Sequence, residues 1–581
     1  MPHTRSATMN STTHCVCLST PPYTFNDELH HLHLAAPGPL QGSSLPLAAW
    51  KRLAAAHYSD SHADAAEFFY SLAHGYQVLP VGTSIPFSSR PNHPSTRDAL
   101  GRATITKQIE TLLNNNVICL WDVTNANALS KISPLGLVPK KEDCVPTGDY
   151  RVIFDLSSPH STSLNDYITA PKFGYASIDQ AMRYLQRGDF MCKLDLKDGF
   201  FHCPVHQDSQ RFLGFRWDKQ TYAYRFLPFG LASSPYQFCR LTSHAAQLAT
   251  SRLRALLWGS RVPLILVYVD DFLICAPTCA DCTLALSILR EVLLELGLNE
   301  KLSKHVPPTE RIIFLGIQLD SQRLSASLSS QRVRNVQQAL NDFTGRKKAS
   351  KRELQSLAGT LNFAAKVVRG GRLWLRGIIN LTKGLKRSNH HVSLNKHFYE
   401  DIEAWKHLLN HFNGISMERT FFTKTVHIFT DACGKGGGAY MEKPHLLWYH
   451  EWDALESPMH INAKELAAVV LAIKHWGPLL RNTRIHLHTD NAASVGALNN
   501  TATRADSFLP YLRELLELSL HYNFELIAEH IPGELNDIAD AISRFHEPGQ
   551  LMRLLSLFPN HAPSLRVDGL LGWGERLRSK P

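Results

Sequence analysis

The chain has 581 residues, a hydrophobic content of 44%, a charged content of 19% and a formal net charge of +10. This suits a globular protein of several domains with full-sized cores, and the basic excess is compatible with a polyanionic partner. No run of about 18 apolar residues marks a membrane span; the N-terminus lacks a signal pattern; eleven cysteines in so long a chain read as reduced, intracellular thiols.

Residues 1–85 read as an irregular, partly disordered extension. It holds Pro/Ser/His-rich stretches (His30-His31-Leu32-His33, Pro37-Gly38-Pro39) and one helical candidate near Leu47–Tyr70. Residues 98–120 look helical and then extended. Residues 133–155 read as two strands around a polar loop, and strands alternate with short helices to about residue 320. Residues 330–415 look mainly helical. There Ser350 and Glu353 form a capping-box pattern ahead of an apolar face of Leu354, Leu357, Leu361 and Phe363. A second α/β segment begins at Val426. The tail after about residue 547 offers no usable motif. Cys279 and Cys282, with Cys275 nearby, lack the further ligands of a zinc site and read as packed or helix-surface thiols.

Two groups of acids carry the chemistry. Tyr268-Val269-Asp270-Asp271 interrupts the apolar stretch Val262–Cys275. Adjacent carboxylates between strand-like apolar runs are costly unless a cation compensates them. Lys193-Leu194-Asp195 alternates like a strand that ends on an acid. If the two strands are neighbours, three carboxylates converge on one sheet edge, an oxygen-only donor set that favours magnesium or manganese. Leu227-Pro228-Phe229-Gly230-Leu231-Ala232-Ser233-Ser234-Pro235-Tyr236-Gln237-Phe238 reads as a loop-to-helix junction where backbone approaches a flat ligand.

Asp195 with Phe200-Phe201, the Leu227–Phe238 segment, Tyr268–Asp271, Lys304 and Phe314-Leu315-Gly316 stand in the order of the reverse transcriptase motifs. Ser133-Pro134, Lys140-Lys141, Arg151 and Asp155 resemble that family's fingers, and the resemblance covers about residues 95–415. It implies that Asp195, Asp270 and Asp271 hold two metal ions, with Asp271 the less direct ligand. Lys140 and Arg151 would grip the incoming triphosphate. Phe200 would be the steric gate against a 2′-hydroxyl. Gly230 and Gln237 would line the nucleotide and template site. Lys304, or Lys301 if the local alignment slips, would protonate the leaving pyrophosphate. Arg346, Lys347, Lys348, Lys351 and Arg352 crowd the start of a helix, which its dipole disfavours; an external anion such as a nucleic-acid backbone would offset this.

The second group lies beyond the helical segment. Val426–Asp431 and Arg484–Asp490 alternate like strands and end on acids, Glu465 sits on a strongly helical run, and Asp540 sits on another. This series resembles ribonuclease H. It implies metal binding by Asp431, Glu465, Asp490 and Asp540, with Asp537 competing for the last place. His530 matches the histidine on a loop before the last acid, suited to shuttling protons or aiding product release. A purely structural role for Glu465 would be as a capping partner for Asn462.

The expected architecture is therefore α+β and multidomain: a right-hand polymerase followed by an α/β ribonuclease H-like domain. Fingers and palm would occupy residues 86–325, thumb or connection 326–420, the ribonuclease H-like domain 424–546 and a tail 547–581. The implied function is an RNA-directed DNA polymerase with ribonuclease H activity, with two Mg2+ or Mn2+ ions per site. It would act on an RNA template, a DNA primer, dNTPs and RNA–DNA hybrid. A decayed or domesticated remnant that only binds nucleic acid is the alternative, opposed by the intact acids. Leu354–Phe363, Thr489-Asp490-Asn491 and Ile531-Pro532-Gly533 through Arg544 look most like DIRS-like retrotransposons. Such elements integrate with a separate tyrosine recombinase, and the sequence shows no protease, integrase or recombinase motif. Gypsy-like elements and pararetroviruses share the domain order.

Overall fold

The computed structural model describes residues 48–50, 62–121, 129–142, 145–171, 173–411, 413–417, 422, 424–557 and 567–568. The histidine cluster at 30–33 and most of the tail lie outside these residues. Among the described residues no helix is long and apolar enough to cross a membrane. The chain forms two compact units, residues 1–324 and 325–581.

The first unit is built on a four-stranded antiparallel sheet. Strands β1 (Leu135–Glu142) and β2 (Val145–Phe154) form a separate ribbon ahead of it. The sheet contains β3 (Phe190–Asp195), β4 (Leu264–Tyr268), β5 (Asp271–Ala276) and β6 (Val306–Thr309), in the order β6-β3-β5-β4. Helices α1 (Ser234–Leu256) and α2 (Cys279–Glu295) pack against it through Leu241, Ala245, Ala249, Leu286, Leu289 and Val292. Phe272 through Ala276 are all buried, which is why this strand reads as a continuous apolar run rather than an alternating one. Cys192, Cys275 and Cys282 are packed in this core.

The apolar residues of the expected N-terminal extension lie in the same core. Trp50, Phe68, Phe69, Leu72 and Tyr76 are buried, and the Trp50 indole donates to the Leu296 carbonyl at 3.1 Å. The helix there runs His62–His74. Phe69, Leu72 and Tyr76 stand at helical spacing, but that local period does not tell which core they join.

The second unit opens with four helices, α3 (Ser330–Asn341), α4 (Lys351–Ala364), α5 (Arg376–Thr382) and α6 (Lys396–His411). The capping box forms as read: Glu353 accepts from the Ser350 backbone and hydroxyl, and Ser350 accepts from the Glu353 amide. The bonds from Ser350, then that from Arg346 at 2.7 Å, hold the Glu353 carboxyl down at about 2. Of the five cations at this helix start, Arg346 is thus paired from within the chain.

A six-stranded sheet follows: β7 (Lys424–Ala432), β8 (Gly436–Met441), β9 (Leu446–Glu451), β10 (Thr483–Thr489), β11 (Glu525–His530) and β12 (Val567–Asp568), ordered β11-β10-β7-β8-β9-β12. Helices α7 (Ile461–Trp476), α8 (Ala492–Asn500) and α9 (Leu509–Tyr522) contribute to one core with Val426, Ile428, Ile485 and Leu487. A second cluster joins Tyr440, Leu447 and Tyr449 to α10 (Asp537–Ser543) and α11 (Gln550–Leu557), with Leu554 fully buried. The tail, silent in sequence, therefore begins with a helix that packs on the sheet.

One buried ion pair fastens the helices to this α/β layer. Asp401 on α6 is 1% exposed and accepts from Arg513 on α9 at 2.9 Å, as well as from the Gly377 and Ile378 amides. The Arg513 guanidinium lies 3.7 Å from the Trp374 ring centre. Breaking a buried pair strands the remaining charge. Arg513→Ala is expected to destabilise the second unit by about 3 kcal/mol, read as a lower urea midpoint for its unfolding; an unchanged midpoint would show that the pair does not fasten the helices.

Candidate active sites

The first site forms where β3 and β5 run side by side. Asp195 pairs in register with Asp271 across the antiparallel strands. Asp270 lies in the turn between β4 and β5, and its carbonyl accepts from the Leu196 amide at 3.0 Å. The turn is tight enough to place Val269 at φ +60°. That region disfavours a β-branched residue, so the surrounding sheet must over-determine the geometry.

Asp195 is nearly buried, with Asp270 and Asp271 half-buried. Burial, and then the Asp195 carboxylate, push Asp271 up to about 6 and raise Asp270. The Lys304 ammonium donates to Asp195 Oδ2 at 2.8 Å, and this bond raises the Lys304 pKa. Lys301 meets the same residue through its backbone, its amide donating to the Asp195 carbonyl at 2.7 Å.

The other residues singled out in this unit surround the loop and ribbon. Phe200 follows β3 on a short 3-10 turn and is 8% exposed, its ring packed on Phe229 and Phe238 at 4.7 and 5.5 Å. Gly230 has φ +97°, and a Cβ there would fall 2.5 Å from the Phe154 carbonyl oxygen, so only glycine lets the loop abut the end of β2. Gln237 lies in the first turn of α1 and accepts from Arg240 at 3.3 Å. Lys140 and Arg151 are exposed on the β1–β2 ribbon, with Lys140 3.9 Å from Asp149.

The second site gathers Asp431 from β7, Glu465 from α7 and Asp490 just after β10. Each offers a ligand oxygen, all within 4.8 Å of one another. Glu465 does not cap its helix: His460 is the N-cap, accepting from the Asn462 amide. Glu465 is 5% exposed, and its Oε2 is buried without a hydrogen-bond partner. Burial, then Asp431 and Asp490, push it up to about 9. Burial pushes Asp431 up to about 6, against a 2.5 Å hydrogen bond from the Ser543 hydroxyl. Three converging carboxylates, with Glu465 Oε2 left without a hydrogen-bond partner, make an oxygen-only donor set that fits a divalent cation.

Asp540 is near enough to raise the Asp431 pKa but lies outside the three-oxygen group. Arg544 Nε and Arg553 Nη1 bond its two oxygens at 2.6 and 2.7 Å. Burial pushes Asp540 upward, and these bonds outweigh it and hold the pKa low. His530 ends β11, exposed and in register with Thr489. The loop after it comes close to the acids: a Cβ on Gly533 would lie 3.3 Å from Asp490 Oδ2.

Several contributors had no role assigned from the sequence, although Asn536 stands between His530 and Asp540 in the ribonuclease H resemblance. Ser543 orients Asp431. Asn536 ties its loop to the Thr430 carbonyl at 2.9 Å. Lys464, 3% exposed, donates to the Gly434 and Ser457 carbonyls. The glycines of β8 serve close packing: a Cβ on Gly438 would lie 2.4 Å from the Ser543 amide nitrogen. Only Arg544, one turn beyond Asp540, had a legible helical spacing.

Two known families match segments of the chain that contain most of these acids. Residues 138–319 match the family described as reverse transcriptase (RNA-dependent DNA polymerase), and residues 421–517 match the RNase H-like domain found in reverse transcriptase. The chain thus carries a reverse transcriptase domain followed by a ribonuclease H-like domain, the domain content of an RNA-directed DNA polymerase with ribonuclease H. The second match ends before His530 and Asp540. Among curated proteins, the Transposon Tf2-3 polyprotein of Schizosaccharomyces pombe is 22% identical over 424 residues, 71% of this chain and 29% of that polyprotein. An enzymatic polyprotein of Cassava vein mosaic virus is 24% identical over 437 residues, 73% of this chain and 62% of its own length. The chain spans less than two thirds of either relative. Among solved structures, a foamy viral protease-reverse transcriptase in complex with double-stranded DNA aligns over 86% of this chain and 85% of its own, at 19% identity and a TM-score of 0.48.

The raised carboxyls give a pH dependence. Each binds its proton more tightly in the folded than in the unfolded chain, so its contribution to stability is full below the ordinary carboxylate range of about 4. It is lost as pH rises through about 6 for Asp431 and Asp271 and about 9 for Glu465. In chelator, thermal stability is expected to fall between about pH 4 and pH 9, with Glu465→Gln flattening the upper part. A melting temperature equally steep above pH 7 in wild type and Glu465→Gln would contradict the assignment.

Proposed function

We propose that the chain copies retroelement RNA into DNA and degrades the RNA strand of the resulting hybrid, both by two-metal-ion phosphoryl transfer. The observation that carries this reading is the registered pairing of Asp195 with Asp271, with Asp270 in the adjoining turn. The oxygen-only trio of the second unit supports its hydrolytic half. Mg2+ or Mn2+ held by these carboxylates would supply Lewis acidity and an oriented clamp for the attacking and leaving oxygens.

In the polymerase site, Asp195, Asp270 and Asp271 hold the ions. Lys140 and Arg151 grip the triphosphate as point charge and planar fork. Phe200, braced by Phe229 and Phe238, lies under the sugar and leaves no room for a 2′-hydroxyl. Gly230 and Gln237 line the nucleotide and template. Lys304 keeps its proton at neutral pH, its pKa raised by the bond it donates to Asp195, and delivers it to the leaving pyrophosphate. In the nuclease site, Asp431, Glu465, Asp490 and Asp540 hold the ions and His530 moves protons between the attacking water, the leaving oxygen and solvent.

The reading extends to the working context. Template RNA, DNA primer, dNTPs and hybrid are the substrates. Residues 86–325 serve as fingers and palm, 326–420 as thumb or connection, and 424–546 as the nuclease. Two phrases, Leu354–Phe363 and Ile531 through Arg544, support a DIRS-like element whose integration uses a separate recombinase.

Asp270→Asn is expected to abolish magnesium-dependent dNTP incorporation on a primed RNA template while sparing hybrid cleavage; Asp490→Asn should do the reverse. Incorporation that survives Asp270→Asn would overturn the polymerase assignment. Phe200→Ala should raise ribonucleotide incorporation by at least about 10-fold, the removal of a steric block worth over about 1.4 kcal/mol; unchanged sugar selectivity would remove Phe200 as the gate.

A further inference from the structure

The fourth carboxylate of the nuclease site is already bonded through both oxygens. Arg544 comes from one turn further along Asp540's own helix. Arg553 comes from α11, a separate element beyond the family match at 421–517. The helix is well placed for this contact. Leu554, next in sequence to Arg553, is fully buried against Ala541, Ile542 and Phe545. Arg553 itself stays 44% exposed at the rim, and Arg544 is further tied to Glu547 at 3.8 Å.

Each guanidinium gives Asp540 one bond, and a guanidinium and a divalent cation compete for the same carboxylate lone pairs and repel each other. Arg544 is local to its helix and can follow it, whereas Arg553 requires α11 to be docked. We infer that Arg553 is a positioning residue that holds Asp540 away from the Asp431–Glu465–Asp490 group and so raises the cation concentration the nuclease site needs. The inference rests on the nuclease reading of this site. The anionic backbone of a bound hybrid offers Arg553 an alternative partner. Hybrid and cation should then bind with positive linkage, the hybrid freeing Asp540 for the cation and the cation freeing Arg553 for the hybrid.

The test is Mn2+ binding by the full chain, followed by the loss of free-ion paramagnetic resonance signal. Binding at the nuclease site is the part lost in Asp431→Asn. Arg553→Gln is expected to tighten that part about threefold, the scale of a half-exposed ion pair, and to weaken its linkage to hybrid. Arg553→Lys, which keeps the charge on a shorter and differently shaped side chain, should fall between. Identical Mn2+ affinity in wild type and Arg553→Gln, with Asp431-dependent binding still present, would make Arg553 a brace of the fold and overturn the inference alone. Absence of any Asp431-dependent Mn2+ binding would overturn the nuclease reading with it.

Discussion

Like-charged carboxylates held together out of water are the constraint on which both units depend. Each would rather be solvated and apart. The first unit resists this by hydrogen-bonding β3 to β5 along their length, so that Asp195 and Asp271 are opposite each other because their strands are. The second takes acids from a strand, a helix and a strand end, and locks them with α7 packed over the sheet. Only a rigid scaffold can hold such repulsion, which is why these residues stand on sheet ends and a buried helix rather than on long loops.

Close backbone approach makes the scaffold rigid. Gly438 lets α10 lie against β8, which brings Ser543 within reach of Asp431 and sets Asp540 beside it. Gly230 does the equivalent in the first unit, where its backbone meets the Phe154 carbonyl. Val269 goes the other way, a β-branched residue forced to positive φ so that Asp270 can occupy its turn. Strain at one residue is tolerable when the strand that follows is buried from Phe272 to Ala276 and paired on both edges.

What was legible in the sequence was local. The strand ending at Asp195, the turn holding Asp270, the helix under Glu465 and the capping box at Ser350 each follow from periodicity or short-range hydrogen bonding. What was not legible depends on residues far apart in the chain. Trp50 reaches Leu296, Asp401 reaches Arg513, and Arg553 reaches Asp540 without any spacing that a helix or strand period would flag. The glycines of β8 were visible as a run, but their reason is a helix some hundred residues later in the chain.

The two sites also differ in the cation that the chain itself places on an acid. At Asp195 it is Lys304, an ammonium that can surrender a proton when its surroundings change. At Asp540 it is a pair of guanidiniums, which cannot. Proton transfer in the first unit can therefore pass through the same side chain that neutralises the carboxylate. In the second it needs another group. His530, exposed at the end of β11 beside the loop that approaches Asp490, has the chemistry for that task. Under the proposed function both reactions take a proton from the attacking group, the primer hydroxyl or water, and give one to a leaving oxygen; a lysine held on Asp195 serves only the leaving side, whereas an imidazole open to solvent can serve both in turn.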